Sequence, residues 1–324
     1  MTKRQPEAEH RRRVWLFAGA GGAAVAVATA AALALAFGSG HGTPPRITVG
    51  PAAKGPPTLP PRGTLVLAGQ AGRLAVGVAV RPRPSAVALT ATVIGGDGDG
   101  VDGLRVRFAV ATRAGVRAVN GAPCGSGCYR AATALPATPK RVVVRLRSAR
   151  LVFALPQRWP APSGGSLVRR ASAAFRRLRT VVIHERLASG TGEPLVTTWR
   201  LAAPTSFAYR IRRGAEAVVI GRKRWDRVPG GRWERSSQEP PLPQPREPWQ
   251  RVSNAYLLGE ATSAGRRVSI VSFLDRSIPA WFELTVDHAT MRPLQAHMVA
   301  TAHFMLDRYG SFNRQVGIRP PTGR

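Results

Sequence analysis

The sequence predicts a mainly β protein on an N-terminal transmembrane helix: an immunoglobulin-like β-sandwich, then a strongly curved antiparallel sheet over one long helix. Three observations predict it. Val14–Phe37 is an uncharged run of 24 residues. Residues 64–156 hold a series of short alternating segments separated by turn clusters. From 164 onward a single amphipathic helix leads into strand after strand.

The first element is "VWLFAGAGGAAVAVATAAALALAF". As a helix it would reach about 36 Å, enough to cross a bilayer. The basic stretch "MTKRQPEAEHRRR" (1–13) precedes it and few charges follow at once, which places the N-terminus in the cytoplasm and the body outside. Small residues before Ala34 and Ala36 offer signal-peptidase sites, but the apolar run is long for a signal peptide and favours an uncleaved anchor. Residues 38–63 are rich in Pro and Gly and read as a stiff spacer.

The second element, 64–156, includes "TLVLAG", "RLAVGVAVRP", "LRVRFAVAT", "KRVVVRLR" and "ARLVFALP". About seven such strands in under 100 residues suit a two-sheet sandwich. Within it "CGSGCY" carries the chain's 2 cysteines, Cys124 and Cys128, which an exported location would join as a disulfide. "GDGDGVDG" (Asp97, Asp99, Asp102) resembles part of a calcium loop but lacks the acidic residue that closes one, so it reads as a hairpin turn.

The third element, 164–321, opens with "SLVRRASAAFRRLRT", where Leu167, Val168, Ala171, Ala174, Phe175 and Leu178 form one apolar stripe and Ser166 is available as cap. The strands that follow read as an up-and-down meander of eight or nine. Among them "PLQAHMVATAHFMLDRY" reads as one run, with His297, His303 and Met305 on one face and Met298 and Phe304 on the other. The loop "SSQEPPLPQPREPWQ" (236–250) is long and Pro-rich, a candidate rim or lid.

Residues 164–321 resemble the bacterial lipoprotein-carrier superfamily of LolA, LppX and relatives. The helix running into "LRTVVIHERLASGTG", then "AEAVVIGRKRWDRVPGGRW", "PAWFELTVDHATMRPLQAHM" and "RYGSFNRQVGIRPP" carry the likeness. "PAWFELTVD", "AHFMLDRY" and the terminal "IRPP" are also similar to the C-terminal ectodomain of actinobacterial copper-resistance proteins of the CopC/CopD type, and the sandwich to their YtkA/CopC-like domain. The resemblance implies an open LolA-like half-barrel with an apolar cavity, for which Phe175, Leu178, Trp199, Tyr209, Trp281, Met298 and Phe304 are the candidate wall. Two features depart from the copper proteins: no multi-pass membrane domain accompanies the body, and their N-terminal copper-binding histidine has no counterpart at the start of this sandwich.

Charge narrows the partners. The chain holds 48 Lys+Arg against 17 Asp+Glu, a formal +31. An exported basic body meets anionic lipid headgroups rather than a genome, and nucleic-acid recognition motifs are absent. Neither a G-x-S-x-G nor an H-E-x-x-H motif occurs, and the acidic residues look too scattered for a carboxylate pair, so the expectation is no enzyme. Imidazole and thioether together suit copper, which makes His297, His303 and Met305 a metal candidate set. Three functions stay open: a membrane-tethered binder of a lipid or lipidated chain, favoured first; a copper-handling accessory; and a ligandless module docking to another envelope protein.

Overall fold

Trp281 packs against Gly77, more than two hundred residues away in sequence, and this contact joins the two halves of the molecule. A Cβ at position 77 would fall 2.2 Å from the indole Cε2 and Cζ2. The computed structural model describes residues 55–147, 149–190 and 192–322, which belong to one compact unit. No helix among them is long and apolar enough to cross a membrane; the expected span at 14–37 lies outside the described residues.

The first half is a sandwich of nine strands: β1 (Leu65–Ala71), β2 (Leu74–Arg83), β3 (Ala86–Ile94), β4 (Val106–Thr112), β5 (Gly115–Asn120), β6 (Ala122–Gly125), β7 (Cys128–Ala134), β8 (Pro139–Leu146) and β9 (Ala149–Ala154). One sheet runs β1-β2-β3-β7-β6 and the other β5-β4-β8-β9. Val76, Val78, Leu89, Phe108, Tyr129 and Val144 meet between them. The Tyr129 hydroxyl donates to Val101 O at 2.8 Å and accepts from Leu104 N–H at 2.9 Å, so the buried phenol leaves no unpaired group. Cys124 and Cys128 are disulfide-bonded, and Asp102 Oδ1 accepts from Gly127 N–H at 2.7 Å, so the acidic stretch holds the disulfide turn. The end of the expected spacer is not free: Thr58 N–H donates to Ser126 O at 2.8 Å, and Arg276 donates to Pro60 O.

β2 is buried on both faces, and its sequence "AVGVAV" explains how. Val76, Val78 and Val80 enter the sandwich core, while Ala75, Gly77 and Ala79 form a shallow face against the second half. Val66, Ala75, Ala79 and Ile94 pack there on Leu274, Trp281, Val299 and Phe304. Asn254, at φ 55°, reaches across with Nδ2 to Thr64 Oγ1 at 2.9 Å and Pro61 O at 2.7 Å.

The second half opens with α1 (Gly165–Arg176), the one helix among the described residues. It buries Leu167, Val168, Ala171, Ser172, Ala174 and Phe175, while Leu178, expected on the same stripe, is buried just beyond the helix end. The cap is Gly164 rather than Ser166, and it makes no side-chain cap bond. A Cβ at Gly164 would strike Val271, so close packing decides that residue.

Eleven strands then form one antiparallel sheet: β10 (Thr180–Ala188), β11 (Leu195–Ala202), β12 (Ser206–Ile211), β13 (Glu216–Ile220), β14 (Lys223–Arg227), β15 (Glu234–Ser237), β16 (Val252–Ser263), β17 (Arg266–Asp275), β18 (Ala280–Asp287), β19 (Pro293–Ala300) and β20 (His303–Gly310). The order is β15-β14-β13-β12-β11-β10-β20-β19-β18-β17-β16. This corrects the single meander expected from sequence. Two meanders meet where β20 pairs with β10, and the consecutive strands β15 and β16 stand at opposite edges.

The Pro-rich loop 238–251 links those two edges as a strap. Laid flat, the sheet would span about 48 Å at about 4.8 Å per strand. Fifteen Cα steps reach only about 50 Å when fully extended. The strap is not a straight line: Gln244 N–H bonds Pro204 O at 2.8 Å, Glu247 pairs with Arg176 at 2.7 Å, and Trp249 Nε1 donates to Ser172 Oγ at 2.9 Å. The sheet must therefore curl around α1 for the chain to close. Trp249 packs edge-on against Phe273 and Phe282, themselves stacked at 5.1 Å.

The seam yields a prediction. Gly77→Ala should destabilise the protein by about 1–3 kcal/mol through overpacking, and Trp281→Ala by about 3–5 kcal/mol through a cavity. In the double variant the Gly77→Ala cost should largely vanish, because the ring it strikes is gone. A chemical-denaturation cycle measures this; additive losses would mean the ring and the glycine do not share one contact.

Candidate functional site

The cross-strand register assigns each side chain of the large sheet to the face that carries α1 or to the face that carries the sandwich. On the helix face β10 presents Ile183, Glu185 and Leu187, β11 presents Thr197, Trp199 and Leu201, and β12 presents Phe207, Tyr209 and Ile211. β20 adds Met305, Asp307 and Tyr309, with Met298 of β19 opposite Met305. Phe175 of α1 meets Tyr309 edge-to-face at 5.4 Å.

Packing along this face is uneven. Val271, Phe273 and Leu284 on the β17–β18 side are 0% exposed, sealed by α1 and Trp249. On the β10–β12 side Ile183 keeps 8% and Leu187, Phe207, Tyr209 and Ile211 keep 7% of their surface. A helix of 12 residues covers only part of eleven strands, so the β17–β18 half of the face is fully sealed and the β10–β12 half is an apolar wall that keeps a little surface. Trp199 and Tyr209 lean together on that wall, 4.8 Å between ring centroids.

Polar groups interrupt the wall at one place. Glu185 and Asp307 are direct cross-strand partners, 8% and 4% exposed. Burial raises the Glu185 pKa above the ordinary 4.5, and the nearby Trp199 and Thr197 offset only part of the rise. Burial also lifts Asp307 well above 3.8, the Glu185 charge adds to it, and the hydrogen bond from the Tyr309 hydroxyl (3.2 Å) opposes it. Two buried carboxyls side by side cannot both ionise cheaply, so the pair holds a proton to higher pH than an exposed carboxyl would. Glu185 Oε1, Asp307 Oδ1 and Trp199 Nε1 are buried without closing a hydrogen bond. At the outer end Arg224 forms a two-pronged ion pair with Asp226, both contacts at 2.7 Å.

This pair was missed in the sequence because 122 positions separate its members. A local signal existed. Glu185 falls on the apolar parity of "VVIHERL" and Asp307 on that of "FMLDRY", so both alternations point an acid inward.

Of the residues proposed from sequence, the structure gathers Phe175, Leu178, Trp199, Tyr209 and Met298 in the second half, with Trp199, Tyr209 and Met298 on the helix face. Trp281 and Phe304 are corrections: both project from the opposite face, into the seam with the sandwich. The candidate metal set also separates. "PLQAHMVATAHFMLDRY" is two strands, broken at Thr301–Ala302, where Ala302 takes φ 51°. The hairpin reverses the expected faces. His297 lies opposite Leu306 on the sandwich face, while Met305 lies opposite Met298 on the helix face. His303 Nδ1 is 2.8 Å from Thr301 O, within the turn. Among the described residues no cluster of three His, Cys, Asp or Glu could hold a metal ion.

No family model and no curated protein matches the chain. Solved structures do align with about half of it. LprF of Mycobacterium bovis is 13% identical, covering 50% of this chain and 100% of its own, with a TM-score of 0.35. The lipoprotein LppX of Mycobacterium tuberculosis is 10% identical over 48% and 97%, with 0.34. A LolA superfamily protein of Nitrosomonas europaea is 13% identical over 48% and 95%, with 0.24. At these values the likeness assigns neither ligand nor role to this chain.

The carboxyl pair predicts a pH dependence of known sign. An acid whose folded pKa is raised contributes stability below its unfolded pKa, and that contribution is lost as pH rises through the folded value. Asp307→Asn should therefore gain in melting temperature relative to the wild type as pH goes from about 4 to about 8. Thermal melts across that range test it; a gain that shrinks with pH would mean the pair is ionised.

Proposed function

We propose that this chain is an outward-facing, non-enzymatic binding protein that holds an acyl-type apolar ligand against the open half of the helix face, with α1 and the strap beside it. One observation carries this reading: the apolar and aromatic side chains Ile183, Leu187, Phe207, Tyr209 and Ile211 on the helix face keep 7–8% of their surface, where Val271, Phe273 and Leu284 keep none.

The polar groups of the wall suit such a ligand. The Glu185–Asp307 pair holds a proton instead of carrying two fixed charges, so it does not repel a hydrocarbon as ionised carboxylates would. The arrangement has the layout of a half-barrel of the lipoprotein-carrier type, in keeping with the resemblance of residues 164–321. Tethering by residues 14–37 and an exported location belong to the same proposal, and the basic balance of the chain would hold the body close to anionic headgroups. Copper handling gains no geometric support, since His297 and Met305 leave the sheet on opposite faces.

Native mass spectrometry of residues 45–324, purified without detergent from cells, tests the reading. Lipid-sized adducts are expected. Leu187→Trp and Leu201→Trp should each lower adduct occupancy about tenfold, since displacing two methylenes at about 0.8 kcal/mol each is enough for that. A bare mass in the wild type, with the same result after incubation with membrane lipid, would defeat the reading.

A further inference from the structure

The sandwich is open along one side. β1 and β9 are the edge strands of its two sheets, and the core shows between them. β16 of the large sheet stands across this opening, where Tyr256 and Leu258 pack against the sandwich core. The closure is incomplete. A cavity of about 760 Å³ remains between β1, β9, β16 and the sandwich face of β17–β19.

Its walls are hydrocarbon over most of their extent: Leu67, Leu151, Phe153, Leu257, Leu258 and Trp281. Val152 lines it too and is one of the few large apolar residues left exposed in the molecule. Arg158, Glu260, Glu283 and His297 complete the lining with charged or ionisable groups. Trp281 and Ser272, each 2% exposed, are part of the sandwich face that lines it. The volume lies within the range of small-molecule sites, about 300–1,000 Å³.

We infer that this seam cavity is a second ligand site, which takes one hydrocarbon chain with a polar end, as in a fatty acid or a monoacyl ester. The chain lies along Leu67, Leu151, Leu257 and Leu258. Its polar end lies toward Arg158, Glu260, Glu283 and His297, the charged or ionisable part of the lining. The site shares no residue with the wall on the helix face and stands whether or not that wall binds a ligand. Its occupant would touch both halves of the protein, so binding would tighten the seam centred on Gly77.

The probe is palmitic acid carrying a diazirine on its chain, photolysed with the full-length protein in membranes and mapped on tryptic peptides. Label is expected on residues 151–158 and 252–266, which line the seam, whereas helix-face binding labels 180–186, 187–200 and 201–210. Leu151→Trp fills the cavity from the sandwich side and should cut labelling of 252–266 at least about fivefold. If Leu151→Trp melts early, Leu258→Trp fills the cavity from the facing strand and is read on 151–158. Label confined to the helix-face peptides, no label on the body, or labelling of the seam unchanged by the filling variants each overturns the site. Label on the seam peptides alone would support it and count against the helix-face wall.

Discussion

The contact between Trp281 and the bare backbone of Gly77 is the constraint on which the rest of the architecture depends. An eleven-stranded antiparallel sheet has two faces to cover, and one helix covers part of one. The sandwich covers the middle of the other. It does so by packing Val66 of β1, Ala75 and Ala79 of β2 and Ile94 of β3 onto Leu274, Trp281, Val299 and Phe304, with the indole against Gly77. With β18 and β19 held from both sides, the remaining strands are free to curl toward α1, and the strap from β15 to β16 fixes how far they curl.

Two compartments of different character follow from this arrangement. On the helix face, the β10–β12 half is a broad apolar wall with the Glu185–Asp307 pair set into it. On the sandwich face, the splay between β9 and β16 leaves a second, mostly apolar space. Among the described residues Arg158 lines the seam cavity, and Arg176 and Arg224, which approach the helix face, are neutralised by Glu247 and Asp226.

Much of the chain's local behaviour was legible before any coordinates. The stripe on α1 follows from 3.6-residue spacing, and the sandwich strands follow from alternation and turn chemistry. The disulfide followed from two cysteines four apart in a chain read as exported. The errors share a cause. "PLQAHMVATAHFMLDRY" contains no Gly or Pro at its turn, because Ala302 adopts the left-handed conformation unaided, and so the hairpin was read as one strand and every later side chain was assigned to the wrong face. Trp281 was placed in the half-barrel interior because an aromatic on a curved sheet usually belongs there; only the partner sheet shows otherwise. The pattern "AVGVAV" announced that β2 has a small face as well as a Val face, yet not what that face meets.

The sequence by itself determined the periodicities: which residues alternate, which form a helix, and which acids fall on the buried parity. Those depend on backbone geometry within a few residues. Tertiary structure alone decided pairing across distance. It set Glu185 opposite Asp307, Gly77 beneath Trp281, and the strap from one sheet edge to the other. The physical reason is that strand register and sheet packing are chosen by the total burial of two surfaces, a quantity that no single segment contains.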